Sequence, residues 1–180
     1  MNQEQISPFL QPLVEQLIHI PGVVAVSLGG SRARGEARPD SDWDIGLYYR
    51  RHIQSSDLRA LGFPGHVVEP GTWGRLVNGG GWLLIDGQHV DVLYRDLTVV
   101  EYWIKEAEGG RFEVDNMAGH IVGLPTYVQM GELAIGKCFL ETFHAPHSLM
   151  PSESKPRLGG KEMRPSRYSL LRDMLLVAKW

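Results

Sequence analysis

The chain has 180 residues, of which 43% are hydrophobic and 22% are charged. This composition is typical of a soluble globular protein and excludes wholesale disorder. The formal net charge is −3, whereas a protein that binds nucleic acid duplexes usually carries a basic surface, so a long nucleic acid is an unlikely partner. A single cysteine, Cys138, excludes an intrachain disulfide framework.

The sequence carries no sign of a membrane or a secretory route. Its N-terminus, Met-Asn-Gln-Glu-Gln, lacks the basic region and apolar run of a signal peptide. No stretch approaches the roughly 18 consecutive apolar residues that a membrane-spanning helix requires. We therefore expect a soluble, cytoplasmic protein with no membrane partner.

Helical spacing of apolar residues occurs in four segments. The predicted helices span residues 8–20, 53–61, 96–108 and 126–135. Ser7 before Pro8 forms a favourable start for the first helix, and Gly109-Gly110 ends the third.

Short apolar runs rich in β-branched residues predict the strands. These strands span residues 23–28, about 42–50, 66–69, 82–85 and 89–95. Asp86-Gly87 joins the last two strands and is favoured in tight hairpin turns, so we expect these two strands to be antiparallel neighbours. The run from Gly79 to Gly81 predicts a loose turn.

Asp42 and Asp44 are the first candidate functional residues. Side chains alternate along a strand, so both carboxylates are expected to point to one face while Trp43 points to the other. Two adjacent carboxylates repel each other unless a cation lies between them. Mg²⁺ prefers oxygen ligands and is commonly held by one or two carboxylates together with substrate phosphates. The pair therefore predicts a magnesium site and a phosphate-bearing substrate.

A second candidate feature is the Gly-Gly-Ser sequence that ends at Ser31. Gly30 has no Cβ, so its backbone can approach an anion closely, and the Ser31 hydroxyl is expected to meet the same anion. Arg32 and Arg34 follow at once and are candidates for bidentate contacts with phosphate oxygens. We expect Gly30, Ser31, Arg32 and Arg34 to bind the nucleotide phosphates.

Asp91 lies on the second arm of the predicted hairpin and is the candidate third carboxylate. Val90 and Val92 are expected to face away from it. Two metal ions held by three carboxylates can clamp the attacking and leaving oxygens of an in-line phosphoryl displacement. Asp42, Asp44 and Asp91 are thus the predicted catalytic and metal-binding residues. Each aspartate alone has a simpler explanation as a polar loop or strand residue, and only the combination favours a catalytic centre.

Two segments carry a family resemblance. LGGSRARG at residues 28–35 and PDSDWDI at residues 39–45 resemble the Gly-Ser and Asp-x-Asp signature of the polymerase-β-like nucleotidyltransferases. Within that superfamily, the chain is most similar to the small bacterial branch of minimal and aminoglycoside-type nucleotidyltransferases. The resemblance covers about residues 20–110.

The resemblance implies an α+β fold with a mixed sheet flanked by helices and a short helical C-terminal appendage. We accordingly expect a catalytic domain at residues 1–112, the appendage at 113–150 and an irregular, mobile tail at 151–180. It also implies two Mg²⁺ ions, ATP or another nucleoside triphosphate as co-substrate, and transfer of a nucleoside monophosphate, usually AMP from ATP, to a hydroxyl on a small molecule or protein. Pyrophosphate is the expected product.

Other functions remain open from the sequence. A P-loop ATPase is excluded because Glu36 and Ala37 stand where Lys and Ser or Thr are required. An antitoxin-like regulatory module would carry a protein partner, and an antibiotic nucleotidyltransferase would modify an aminoglycoside or a lincosamide. Drug-modifying relatives have a longer helical C-terminal domain, so we expect the acceptor site to need a protein partner or a homodimer for completion.

Overall fold

The computed structural model describes residues 7–116 and 122–140, which fall within one compact unit. The tail predicted at residues 151–180 lies outside the described residues. The division of the chain at residues 112 and 150 remains a prediction.

The described residues form five helices and eight strands. The helices are α1 (Leu10–Ile18), α2 (Gly30–Arg34), α3 (Ser55–Ala60), α4 (Leu97–Glu108) and α5 (Val128–Ile135). The strands are β1 (Val23–Leu28), β2 (Trp43–Tyr49), β3 (Gly65–Val67), β4 (Gly80–Ile85), β5 (Gln88–Asp96), β6 (Val114–Asp115), β7 (Leu124–Pro125) and β8 (Lys137–Leu140).

Six strands form the main sheet in the order β3-β4-β5-β2-β1-β8. The central strands β2 and β5 are parallel, whereas all the other neighbours in this sheet are antiparallel. Helices flank the sheet, and β6 and β7 form a separate antiparallel pair. The predicted fold class, an α+β fold with a mixed sheet flanked by helices, is confirmed.

One face of the sheet carries the hydrophobic core. Ile45, Leu47, Val90 and Val92 are completely buried in it. Helix α1 covers this core with leucines at helical spacing, as the periodicity of the segment predicts. Because side chains alternate along a strand, the residues between these core positions face the other side of the sheet.

The opposite face is held to the loop at residues 70–78 by a buried polar network. Asp115 in β6 accepts hydrogen bonds from the backbone N–H groups of Arg75 and Leu76. The carbonyl oxygen of Leu76 in turn accepts a hydrogen bond from the buried guanidinium of Arg95 on β5. The network fixes the loop over the end of β5.

The glycine run at residues 79–81 does not form the loose turn that its composition predicts. Gly80 and Gly81 lie within β4, where they pair with Leu93 and Val92 of β5. A Cβ on Gly80 would lie only 1.8 Å from the carbonyl oxygen of Val92. The glycines therefore permit a close approach of two backbones inside the sheet, a strand use of glycine that composition alone does not distinguish from a turn.

Several predicted element boundaries also shift, among them those of α1 and β2. Helix α1 begins at Leu10 rather than residue 8, and the Ser7 hydroxyl accepts a hydrogen bond from the N–H of Phe9. Strand β2 begins at Trp43, so Asp42 lies immediately before it. The antiparallel pairing of β4 and β5 around Asp86-Gly87 is as predicted.

Candidate active site

Asp44 and Asp91 lie side by side on the two central strands. They are direct register partners in the parallel pairing of β2 with β5. Both residues are partly buried, and the core residues Ile45 and Val92 alternate with them on the other face. Asp42 is exposed at the entry to β2. The sheet thus brings together two aspartates that are far apart in sequence.

The three carboxylates influence one another electrostatically. Burial raises the pKa of Asp44 above its ordinary value, the negative charge of Asp42 raises it further, and Arg34 and Arg32 oppose the shift. Burial also raises the pKa of Asp91, with added contributions from Asp42 and Asp44. The site therefore concentrates negative charge that a bound cation would neutralise.

The turn between β1 and α2 packs directly against Asp44. The N–H of Gly29 donates to the carbonyl oxygen of Asp44 over 2.7 Å. Gly30 has φ +59°, in the left-handed region, and a Cβ there would lie 1.8 Å from Oδ2 of Asp44. Only glycine fits both the backbone conformation and the space.

Arg32 anchors the loop that leads into β2. Its Nε donates to the carbonyl oxygens of Ser41 and Asp42, each over 3.1 Å. The guanidinium also lies 4.1 Å from the ring centre of Trp43. These contacts give Arg32 a positioning role for Asp42, and its predicted contact with phosphate remains a prediction.

Arg34 and Ser31 occupy different positions around the turn. Arg34 is exposed, and its Nε donates to Glu36 over 2.8 Å. Ser31 is partly buried, and its carbonyl oxygen accepts the N–H of Glu36. The roles of Arg34 and Ser31 in nucleotide binding stay predictions.

A cavity of about 270 Å³ extends from Asp44 along the sheet. Its wall includes Gly30 and Arg34 near the turn, Tyr48 and Arg95 on the strands, and Glu132 on α5. Burial raises the pKa of Tyr48 to about 12, so its hydroxyl stays protonated near neutral pH. Arg95 donates to Glu132 over 2.6 Å and links α5 to the sheet. The cavity gives a compartment next to Asp44 whose wall carries both polar and apolar side chains.

Sequence reasoning missed Arg95 and Glu132. The sequence could have predicted that Arg95 lies near the site, because it follows Asp91 by four residues on a predicted strand and so shares its face. Glu132 carried no such signal, since its partner is distant in sequence. Trp82 pairs with Asp91 across the predicted hairpin and so lies on the same face. The register of the hairpin around Asp86-Gly87 could have predicted this pairing from the sequence.

The carboxylates fit a hard cation, although they do not enclose one by themselves. Within residues 7–116 and 122–140, no group of three His, Cys, Asp or Glu side chains is arranged to hold a metal ion. The mutual repulsion of partly buried Asp44 and Asp91 nevertheless fits a cation that completes its ligand set with water and phosphate oxygens. The assignment of Asp42, Asp44 and Asp91 as the metal-binding residues remains a prediction.

Carboxylates on adjacent central strands beside a glycine turn, on a mixed sheet, suit an enzyme that acts on phosphate groups through a bound cation. A family model for the nucleotidyltransferase domain matches residues 10–110, more than half of the chain. The protein belongs to this nucleotidyltransferase family and is a transferase of phosphorus-containing groups. A search of curated proteins found no match. No helix in the described part of the chain has the length and apolar character needed to cross a membrane.

Proposed function

We propose that the protein transfers a nucleoside monophosphate, AMP from ATP in the first instance, to a hydroxyl of a small molecule or protein, with Mg²⁺ as the metal. Family membership gives nucleotidyl transfer in general. The nucleotide, the metal and the acceptor are our inference from the site.

The observation that carries the proposal is the placement of Asp44. It faces Asp91 on the neighbouring strand and touches Gly30 in the turn. A phosphate group near Gly30 and Ser31 would therefore lie beside the carboxylates. Nucleotidyl transfer needs the phosphate groups to lie beside the carboxylates. The bond that breaks joins the transferred phosphate to the pyrophosphate, and the charge that develops there must be stabilised.

The chemical step follows from these positions. The acceptor oxygen attacks the α-phosphorus, the bond from that phosphorus to the bridging oxygen breaks, and pyrophosphate leaves with the bond electrons. Asp91 orients the acceptor hydroxyl and accepts its proton, which then passes to solvent. Asp42 and Asp44 would hold the metal, and Arg34 would pair with phosphate oxygens in place of Glu36. When bound, Mg²⁺ supplies positive charge that stabilises the charge developing on the phosphate oxygens.

Substitution of Asp44 by Asn tests the proposal directly. We expect Asp44→Asn to lower Mg²⁺-dependent pyrophosphate release by about a thousandfold, since a preorganised charge is lost at the reacting centre. The melting temperature of the metal-free protein should stay the same or rise by roughly 2 °C, because one of two repelling carboxylates is removed. Pyrophosphate release and thermal melting are the two measurements.

Asp40→Asn is the matched control for that substitution. It removes the same charge from the loop that precedes β2, where Asp40 is exposed and belongs to no part of the proposed site. Asp40→Asn should keep full activity. Equal activity in the Asp44→Asn variant and the wild type would refute the proposed role of the carboxylates.

The acceptor is sought by labelling. The protein is incubated with Mg²⁺ and each nucleoside triphosphate labelled at the α-phosphate, and label is sought on the protein itself, on co-purifying proteins and on small hydroxylated compounds. Label from ATP on a hydroxyl compound or protein supports the proposal. Absence of label with all nucleotides, together with a tightly co-purifying protein, would favour an antitoxin-like module.

A further inference from the structure

Four side chains form a row across neighbouring strands on the face that carries the carboxylates. Asp44 on β2 is in register with Asp91 on β5, Asp91 with Trp82 on β4, and Trp82 with His66 on β3. Residues directly opposite one another on adjacent strands share a face, and their Cβ atoms are about 5 Å apart. An aromatic pair therefore lies directly beside the carboxylate pair.

Trp82 is exposed although it is one of the largest side chains on the sheet. Half of its surface is accessible, whereas its strand neighbour Leu83 is 3% exposed. The rings of His66 and Trp82 are nearly parallel, with an interplanar angle of 13° and centres 6.2 Å apart. This spacing lies within the range of offset ring pairs. The two rings stack against each other, and both side chains are exposed to solvent.

Trp73 supports this surface from one side. Its ring centre lies 4.7 Å from that of Trp82, and Trp73 is itself buried. A Cβ on Gly80 would lie 3.1 Å from Cζ3 of Trp73, so the glycine leaves room for the indole on the strand. The glycine run thus provides the space in which Trp73 packs against Trp82. We call Trp73, Trp82 and His66 the aromatic platform.

The geometry of phosphoryl transfer indicates which substrate meets the platform. In an in-line displacement, the attacking oxygen lies opposite the leaving oxygen. The proposed function places the leaving pyrophosphate beside Gly30, on the β2 side of the carboxylates. The attacking hydroxyl then approaches from the opposite side, where β5 adjoins β4. Trp82 occupies that side, next to Asp91.

We propose that the aromatic platform is the acceptor subsite and that it selects an acceptor whose reactive hydroxyl belongs to a molecule with a ring, which stacks on Trp82. A single exposed tryptophan is ordinary on a protein surface. This tryptophan differs because it is supported by a second indole, extended by His66 and in register with Asp91. The assignment rests on the proposed function, since that function fixes the side from which the acceptor arrives.

Ligand binding to the full chain containing 5-fluorotryptophan tests the platform without any turnover. The probe is phenyl β-glucoside, which offers both an aromatic and a sugar ring, and glycerol is the acyclic hydroxyl control. The Trp82 fluorine resonance, assigned from Trp82→Phe, should shift with phenyl β-glucoside and not with glycerol. The resonance of Trp103, on α4, should stay unchanged with both compounds.

Two variants locate the binding. Trp82→Ala should weaken binding of phenyl β-glucoside about tenfold, within the range found when a stacking aromatic is removed. Leu84→Ala is the matched control, because Leu84 is also exposed and lies on the same face two residues along β4. Leu84→Ala should leave the affinity unchanged. Wild-type affinity in Trp82→Ala, no Trp82 shift up to the solubility limit of the probe, or an equal shift with glycerol would overturn the platform.

Pyrophosphate release distinguishes failure of the platform from failure of the proposed function. Turnover that depends on Asp44, combined with absent ring binding, would overturn the platform alone. Ring binding with no Mg²⁺-dependent turnover on any nucleotide would overturn the proposed function, and with it the acceptor role of the platform.

Discussion

At the scale of single residues, the contact between Gly30 and Asp44 links the turn to β2, the strand that carries Asp44. The left-handed conformation of Gly30 brings its α-carbon against the carboxylate, and the N–H of Gly29 holds the backbone of Asp44. The orientation of Asp44 therefore depends on a residue that has no side chain.

Gly30→Ala should disrupt this contact. The added methyl group would occupy the position of Oδ2 of Asp44 and would sit in a backbone conformation that costs roughly 1–2 kcal/mol for a residue with a Cβ. We expect pyrophosphate release to fall at least about a hundredfold, since small displacements at a reacting centre have effects of this size. Steady-state kinetics and urea unfolding measure the two effects.

Gly35→Ala separates strain from displacement. Gly35 also has a left-handed conformation, at φ +75°, but a Cβ there meets no atom within 4 Å. The free energy of unfolding of Gly35→Ala should fall by an amount similar to that of Gly30→Ala, and its activity should be unchanged. If both variants lost activity equally, backbone strain alone would explain the effect and the contact with Asp44 would be unimportant.

Single residues also show what the sequence could predict about the site. Asp42, Asp44 and Gly30 could be predicted as site residues because they lie within one short segment whose spacing has a chemical reason. Asp91 was predicted from the alternation of its strand. Glu132 was not found, because its contact with Arg95 depends on how α5 packs, and no local pattern encodes that packing.

At the scale of elements, β6 determines where the loop at residues 70–78 lies. Asp115 is 4% exposed, and both of its oxygens accept hydrogen bonds from this loop. Burial by itself would raise the pKa of Asp115, but the N–H groups of Leu76 and Arg75 and the Arg75 guanidinium lower it below the usual value. The charged form of Asp115 therefore stabilises the fold.

Removing that carboxylate should destabilise the protein. Asp115→Ala leaves the buried N–H of Leu76 and the partly buried N–H of Arg75 without a partner, and we expect the free energy of unfolding to fall by roughly 2–3 kcal/mol. Asp115→Asn keeps one acceptor oxygen, so its free energy of unfolding should fall less. Urea denaturation at neutral pH measures both, and an unchanged midpoint in Asp115→Ala would contradict the anchoring role.

The same group gives a pH dependence with a defined sign. Its folded pKa is lowered, so its contribution is complete above the unfolded value of about 3.9 and is lost as the pH falls through the folded pKa. The wild type should therefore lose more stability than Asp115→Asn between pH 6 and about pH 3. Equal losses in the two proteins would show that Asp115 is not responsible.

The elements themselves were predicted unevenly. Helix α4 and the β4–β5 hairpin follow from periodicity and from Asp86-Gly87, since both are local signals. The strand role of Gly80 and Gly81 was missed because close approach to β5 is a tertiary constraint. The pairing of β8 with β1 likewise joins residues more than a hundred positions apart, which no short pattern records.

At the scale of the whole molecule, the proposed site concentrates negative charge that the folded chain holds in place. The carboxylates repel one another at the centre of the sheet, and the unfolded chain separates them. A ligand that binds only the folded form must stabilise it. Metal and nucleotide should therefore stabilise the entire fold.

Thermal melting tests this coupling. Mg²⁺ with ATP at a hundred times the dissociation constant should add about 2.7 kcal/mol, which raises the melting temperature by roughly 5 °C or more. ATP with a chelator should raise the melting temperature less. In Asp42→Asn, the rise with Mg²⁺ and ATP should be nearly the same as the rise with ATP and a chelator. A rise that is identical with and without Mg²⁺ would show that the metal has no part in nucleotide binding.

The parallel alignment of β2 with β5 also bears on how activity is acquired during folding. Asp44 and Asp91 meet only in one alignment, and a slip of a single position along β5 would send Asp91 into the apolar interior and bring a valine to the surface. The two carboxylates come together only once β2 and β5 have paired in this register. Regain of catalysis after dilution from denaturant should consequently report when these central strands find their correct alignment.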